Sequence, residues 1–418
     1  MARRDRSFRK FKRDRSDPNW IAYKKLRNIC NKLVRNAKRR YIAEQIELSS
    51  PAGLWKFLRS LGLGKPKSLG SKISLDLNTL NGRSQAIRNG HEFSDWLNVE
   101  AGVPQGGILS PLLFSLFINL LAPNIKSHYH MYADDLQFYC AVPVEDISNA
   151  IAALNSDLLR LQYWSDCYGI SVNPNKCQAI VIGSTRQLAK MNIAFLPSLS
   201  YNGCTIPFTP TVKDLGVIID SNLCWSEHIK EISRKFYASF HSIIRFKNFL
   251  PIQTKTSLVN SLLVPIIDYA DVCFVDLTAD HLNKLDRLLN SCIRFIFGLR
   301  KVDHVSDFRA KLRWLPIRER RSVRILCLLY SILNDPNTPV YLKELFKYLG
   351  DTHVRELRST SNLLLAPPIH HTAFRDKSFS VVAVRLWNSL PKELKMITSK
   401  DVFKKQVRNY YVKNYYAE

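Results

Sequence analysis

Two adjacent aspartates, Asp134 and Asp135, interrupt the apolar and aromatic run MYADDLQFY at residues 131–139. The flanking residues favour β-strands and the interruption favours a turn, so the pattern predicts a hairpin that displays both carboxylates. Two carboxylates on one tight turn need a cation or water, and hard oxygen ligands of this kind suit magnesium. The alternative interpretation is a polar hairpin tip with two solvated aspartates.

A glycine-rich turn, GVPQGG at residues 102–107, precedes the acid pair and leads into an apolar stretch opened by Ser110 and Pro111. Glycine clusters mostly mark loops, so this turn alone says little about function. A glycine turn, an apolar helix and an acid pair in this order form a much more specific pattern.

The segments AGVPQGGILSPLLFSLFIN (101–119) and MYADDLQFY resemble the reverse transcriptases of non-LTR, LINE-type retrotransposons, most of all the jockey group. The resemblance implies an RNA-directed DNA polymerase, a nucleotidyltransferase that extends a primer 3′-hydroxyl on an RNA template with two magnesium ions. It also implies catalytic and metal-binding roles for Asp134 and Asp135.

The same resemblance implies further site residues. Tyr132 would pack near the incoming nucleotide or primer end, and Gln105 and Gly106 would line the pocket where template and nucleotide meet. In KDLGVIID (213–220), Leu215 and Gly216 fall in the hairpin that grips the primer end. Lys176 matches a lysine that approaches the triphosphate, although a solvated turn lysine is an equally good interpretation.

One part of the family pattern has no equivalent here. Residues 72–81 look like the end of a connector, and residues 82–101 look like the hairpin directly before the glycine turn. In the family, a long segment with the fingers, the first palm strand and the first catalytic aspartate separates these pieces. We therefore expect poorly held magnesium and weak or absent polymerase activity. The competing hypothesis is a non-catalytic, basic nucleic-acid-binding remnant.

The chain carries a formal net charge of +26, which favours a polyanionic partner. Residues 1–40 hold sixteen lysines and arginines but three aspartates, and Ser16-Asp17-Pro18 signals the start of a long helix. We interpret this helix as a phosphate-contacting arm, with a solvated helix or a nuclear-import signal as alternatives. The predicted contact residues are Lys24, Lys25, Arg35, Lys38, Arg39 and Arg40.

The expected fold is α+β: a truncated polymerase palm with a small antiparallel sheet, followed by an all-helical thumb and C-terminal region. The predicted divisions are a basic arm (1–50), a connector (51–81), a partial reverse transcriptase palm (82–220), a thumb (221–335) and a C-terminal region (336–418). A sheet without its first strand would expose an edge and an apolar face.

The expected partners are an RNA template and a DNA primer, without a membrane and without a small-molecule cofactor. The nine cysteines form no CxxC pair, which is typical of reduced, intracellular thiols. The N-terminal residues lack the apolar segment of a signal peptide, and no stretch is long and apolar enough to span a bilayer. These patterns predict an intracellular protein of the nucleus or cytoplasm, and they make no prediction of oligomeric state.

Overall fold

The computed structural model describes residues 2–47, 72–75, 83–99, 110–352, 363–370 and 372–417. The chain divides into two compact units, one of residues 67–228 and one of residues 1–66 with 229–418. The first unit is a mixture of small antiparallel sheets and helices, and the second is built of helices. The predicted α+β fold with a helical C-terminal region is confirmed.

The N-terminal arm consists of two helices, α1 (Ala2–Arg13) and α2 (Asp17–Glu47). Aromatic rings join them: the centroids of Phe8 and Tyr23 lie 4.9 Å apart, as do those of Phe11 and Trp20. Residues spaced three apart share one helix face, so each helix presents a pair of rings to the other. Helix α2 was predicted from the sequence, but α1 was not. The composition of α1 is strongly basic, and its aromatic contacts with α2 come from Phe8 and Phe11.

The first sheet of the unit 67–228 has four strands: β1 (Lys72–Leu75), β2 (Arg83–Asn89), β3 (Glu92–Phe93) and β4 (Leu97–Val99). Strand β2 pairs antiparallel with each of the others. Strand β1 falls in the predicted connector and β2 in the predicted palm. One sheet therefore runs across the boundary that the resemblance suggested at residues 81 and 82.

The rest of this unit contains three hairpins and three helices. Its elements are α3 (Ser110–Ile118), β5 (His128–Tyr132), β6 (Asp135–Tyr139), α4 (Ile147–Tyr168), α5 (Thr185–Leu188), β7 (Leu199–Tyr201), β8 (Cys204–Ile206), β9 (Thr211–Asp214) and β10 (Val217–Asp220). The hairpins are β5–β6, β7–β8 and β9–β10. Helix α4 buries Ile151, Leu158, Leu161 and Trp164, whose spacing places them on one helix face. They form the core of this unit together with Leu121, Leu199, Tyr201 and Ile206.

Twelve described helices follow. They are α6 (Ser226–Ile244), α7 (Ile252–Leu262), α8 (Val264–Asp268), α9 (Ala279–Phe297), α10 (Ser306–Lys311), α11 (Ile317–Asn334), α12 (Val340–Lys343), α13 (Leu349–Thr352), α14 (Ala373–Asp376), α15 (Phe379–Asn388), α16 (Lys392–Lys395) and α17 (Lys400–Ala417). An isolated antiparallel bridge joins Tyr348 and Leu365. Among the described helices, none has the length and apolarity needed to cross a membrane.

Candidate active site

The acid pair lies at the tip of the β5–β6 hairpin. Tyr132 pairs with Asp135, so Ala133 and Asp134 form a two-residue turn between the strands. Ala133 has a φ of +53°, a left-handed conformation that costs a non-glycine residue about 1–2 kcal/mol. Both aspartates are exposed, as the hairpin prediction required. The tight turn holds the two carboxylates next to each other on the surface.

The two faces of this hairpin differ in chemistry because side chains alternate along each strand. One face carries the apolar side chains, and its Leu136 and Phe138 pack against the core of the unit. The opposite face carries His130, Asp135 and Gln137, together with Tyr139 and the exposed ring of Tyr132. The Tyr139 ring stacks on that of His130 at 5.0 Å. Packing of the apolar face therefore turns Asp135 toward solvent.

A third carboxylate approaches the polar face from the β9–β10 hairpin. The Gln137 side-chain amide donates a hydrogen bond of 2.5 Å to Asp214 Oδ1, across 77 residues of sequence. Burial raises the pKa of the Asp214 carboxyl above its ordinary value, the charge of Asp135 raises it further, and His130 acts in the opposite direction. The structure thus places Asp214 beside the predicted acid pair.

Sequence reasoning missed Asp214, although it named the next two residues. Leu215 and Gly216 form the turn of the β9–β10 hairpin, with φ values of +42° and +90°. Asp214 ends β9 directly before that turn, opposite Val217. The sequence did offer a signal for Asp214, because it is an acidic residue next to the turn of the hairpin that was predicted to bind the primer. Its partner Gln137 sits two residues after Asp135, which indicates the same strand face.

The structure describes some of the other predicted site residues and not others. Tyr132 is 68% exposed at the hairpin tip. Lys176 is exposed in a short 3-10 turn, and within the described residues its side chain forms no hydrogen bond or ion pair. Gln105 and Gly106 lie outside the described residues. Lys24 and Lys25 are exposed on α2, which also contains Arg35, Lys38, Arg39 and Arg40, whose side chains are not described.

A buried carboxylate anchors the start of the acid-bearing hairpin. Asp157 on α4 is 1% exposed and accepts hydrogen bonds from the backbone N–H of Lys126 (3.0 Å) and of Ser127 (2.8 Å). Arg160 adds a charged hydrogen bond of 2.5 Å. Burial alone would raise the pKa of Asp157, but these hydrogen bonds outweigh it and lower the pKa below the ordinary 3.8.

We predict that Asp157→Ala destabilises this unit by about 1–3 kcal/mol, because it leaves two backbone N–H groups without their acceptor. Hydrogen–deuterium exchange should become faster in residues 126–139. The folded pKa is lowered, so the stabilisation is present above pH 3.8 and is lost as the pH falls through the folded pKa. The difference between wild type and variant should therefore shrink in acid. Asp166→Ala, an exposed acid on the same helix, is the control, and equal exchange in both variants would contradict the prediction.

Carboxylate oxygens are the donors that magnesium prefers, so Asp134 and Asp135 fit that ion by chemistry. Among the described residues, however, no group of three or more histidine, cysteine, aspartate or glutamate side chains is arranged to hold a metal. Asp134 and Asp135 alone supply fewer ligands than a metal site in which the protein provides every ligand. The arrangement can present two oxygen donors to a cation that is shared with a phosphate-bearing substrate.

Comparison with known proteins supports the class of protein that this hairpin suggests. Residues 54–219 match the family model described as reverse transcriptase (RNA-dependent DNA polymerase). This part of the chain is therefore similar in sequence to reverse transcriptase domains.

The curated relatives are RNA-directed DNA polymerases of mobile elements. The RNA-directed DNA polymerase from mobile element jockey of Drosophila funebris is 27% identical over 231 residues, which cover 51% of this chain and 24% of that protein. Its Drosophila melanogaster counterpart is 27% identical over 215 residues, 48% of this chain and 22% of that protein. The probable RNA-directed DNA polymerase from transposon X-element of D. melanogaster is 24% identical over 227 residues, 52% of this chain and 24% of that protein.

These findings confirm the resemblance to non-LTR retrotransposon reverse transcriptases of the jockey type. The chain spans about a quarter of the length of these relatives.

Proposed function

We propose that this chain is an RNA-directed DNA polymerase domain that binds an RNA template and a DNA primer, and that has little or no polymerase activity by itself. The acid-bearing hairpin carries the proposal, because it displays Asp134 and Asp135 beside the β9–β10 hairpin. In the proposed complex these carboxylates hold magnesium at the primer end, and Leu215 and Gly216 contact the primer.

Bound magnesium would lower the pKa of the primer hydroxyl and neutralise the triphosphate. The chain's own residues would position the reactants. Tyr132 would pack near the primer end or the incoming nucleotide, and Gln105 and Gly106 would line the pocket where template and nucleotide meet. Lys176 would approach the triphosphate, and the arm residues would contact phosphates. A nuclear or cytoplasmic location follows from this function as part of the proposal.

Hydroxyl-radical cleavage tests the metal-binding part of this proposal without requiring catalysis. Ferrous iron takes magnesium's place among oxygen ligands and, with ascorbate and peroxide, cuts the backbone close to its site. We expect cuts around residues 132–137 that excess magnesium suppresses and that Asp134→Asn/Asp135→Asn abolishes. Asp166→Asn, an exposed acid elsewhere in the same unit, should keep them. Cuts that persist in the double variant would overturn the proposal.

A second candidate function is nucleic-acid binding without catalysis. The concentration of positive charge in residues 1–40 favours it, as does the small number of carboxylates at the hairpin. Genomic sequence between the codons for Asn81 and Gly82 separates the two cases. An open reading frame there that encodes a further palm strand would favour a working polymerase, and a direct junction would favour the binding protein.

A further inference from the structure

The arm formed by α1 and α2 carries a layer of four aromatic rings that remains open to solvent. We call it the aromatic layer, and its members are Phe8 and Phe11 of α1 and Trp20 and Tyr23 of α2. Each ring of α1 has its centroid 4.9 Å from a ring of α2, and the two rings of α2 lie 5.7 Å apart. The rings therefore form one continuous surface. Phe8 is 44% exposed and Trp20 38%, and no described side chain of the arm is buried.

An aromatic pair within residues 229–418 shows the contrast. The rings of Tyr330 and Phe403 lie 4.2 Å apart, and these residues are only 2% and 0% exposed. That pair contributes to a hydrophobic core. An exposed group of apolar side chains surrounded by polar ones is typical of an interaction surface. The aromatic layer has the accessibility of such a surface.

Cations lie within one helical turn of these rings. Lys12 and Lys24 each follow a ring of the layer by four residues, so each shares a helix face with that ring. The Arg27 guanidinium lies 6.0 Å from the centre of the Tyr23 ring. Both lysines are exposed, and neither forms an ion pair with a described residue. The layer therefore combines flat apolar faces with accessible positive charge.

This combination determines which partner fits. Helix α1 contains seven lysines and arginines and a single aspartate, Asp5, which pairs with Arg4. A single-stranded nucleic acid offers phosphates to the cations and unpaired base faces to the rings, whereas a duplex keeps its bases stacked on one another. The similarity of residues 54–219 to an RNA-dependent DNA polymerase favours nucleic acid over an anionic membrane as this partner.

We infer that the aromatic layer binds single-stranded nucleic acid, with bases stacked on Phe8 and Trp20 and with phosphates at Lys12, Lys24 and Arg27. The inference rests on the nucleic-acid binding in the proposed function, and it adds the kind of strand and the residues that contact its bases. It does not depend on the metal-binding hairpin in the other unit.

Fluorescence anisotropy of the full chain with two labelled strands tests the stacking. One strand is oligothymidylate, and the other is an abasic oligodeoxynucleotide of the same length, which keeps the phosphates and lacks the bases. The wild type should bind oligothymidylate more tightly, by about tenfold for each stacked base. Phe8→Leu/Trp20→Leu keeps apolar side chains and removes two ring faces, so it should remove most of this preference and leave abasic binding unchanged. Phe195→Leu, at a residue that is 86% exposed in the other unit, should change neither affinity.

A second variant separates charge from stacking. Lys12→Gln/Lys24→Gln should lower the slope of log Kobs against log salt by about 1.4 for oligothymidylate, because two phosphate contacts are lost, and it should keep the preference for bases. Phe8→Leu/Trp20→Leu should leave that slope unchanged. The ring variant should also bind an RNA–DNA hybrid as the wild type does, because the bases of a duplex are not free to stack on the rings.

Three results would overturn the inference. The wild type could bind both strands equally, or the ring variant could retain the preference for oligothymidylate. Loss of the rings could instead weaken binding to phosphatidylserine vesicles and not to oligothymidylate, which would assign the layer to a membrane surface. Equal binding of both strands removes only the stacking, whereas failure to bind either strand removes the proposed nucleic-acid binding as well. Iron cleavage at residues 132–137 can succeed or fail independently of these results.

Discussion

Purified protein should extend a DNA primer on an RNA template no faster than its Asp134→Asn/Asp135→Asn double variant. The reason is the set of metal ligands. The tip of the β5–β6 hairpin offers two carboxylates, and the described residues contain no group of three ligands arranged for a metal. Losing one element of a preorganised charged site costs about 10²–10³-fold in rate. The proposed absence of the fingers would lower the rate further.

Labelled-primer extension with millimolar magnesium measures this effect, with a known reverse transcriptase on the same template–primer as the positive control. Extension by the wild type that the double variant abolishes would show a working metal site and refute the prediction. Asp214→Asn would then be the next variant, because Asp214 accepts a hydrogen bond from Gln137, which lies on the same strand face as Asp135.

Asp268→Ala should have the largest effect on stability, destabilising the helical unit by about 3–5 kcal/mol. Asp268 ends α8, has a side chain that is 9% exposed, and accepts two hydrogen bonds from Arg320 on α11 at 2.8 and 2.5 Å. Arg324 pairs with the same carboxylate. Burial alone would lower the pKa of Arg320, but its bonds to Asp268 raise it. Removing the carboxylate leaves two arginines without their shared partner.

Hydrogen–deuterium exchange measures this loss of stability helix by helix, whereas a single melting curve would combine the unfolding of the two units. Exchange should become much faster in residues 264–268 and 317–334. Asp268→Asn retains the shape and part of the hydrogen bonding, so it should give a smaller increase. Arg234→Ala breaks an exposed pair with Glu231 on α6 and should change little. Unchanged protection of α8 and α11 in Asp268→Ala would disprove the prediction.

Secondary-structure elements that depend on short stretches of sequence were predicted correctly. Strand-forming residues around two aspartates predicted the β5–β6 hairpin, and the start signal Ser16-Asp17-Pro18 predicted the long helix α2. Helix α1 was missed because its aromatic anchors depend on rings of α2. The pairing of β1 with β2 was missed because the family resemblance suggested a boundary between residues 81 and 82 instead.

The sequence by itself determined the acid pair, its turn and the resemblance to reverse transcriptases, because adjacent residues and local periodicity encode all three. Tertiary structure decided what surrounds them. It brought Asp214 to Gln137 across 77 residues, and it fixed the start of β5 through Asp157. It also joined the aromatic rings of α1 to those of α2. Such contacts depend on how distant elements pack, and no local spacing records that packing.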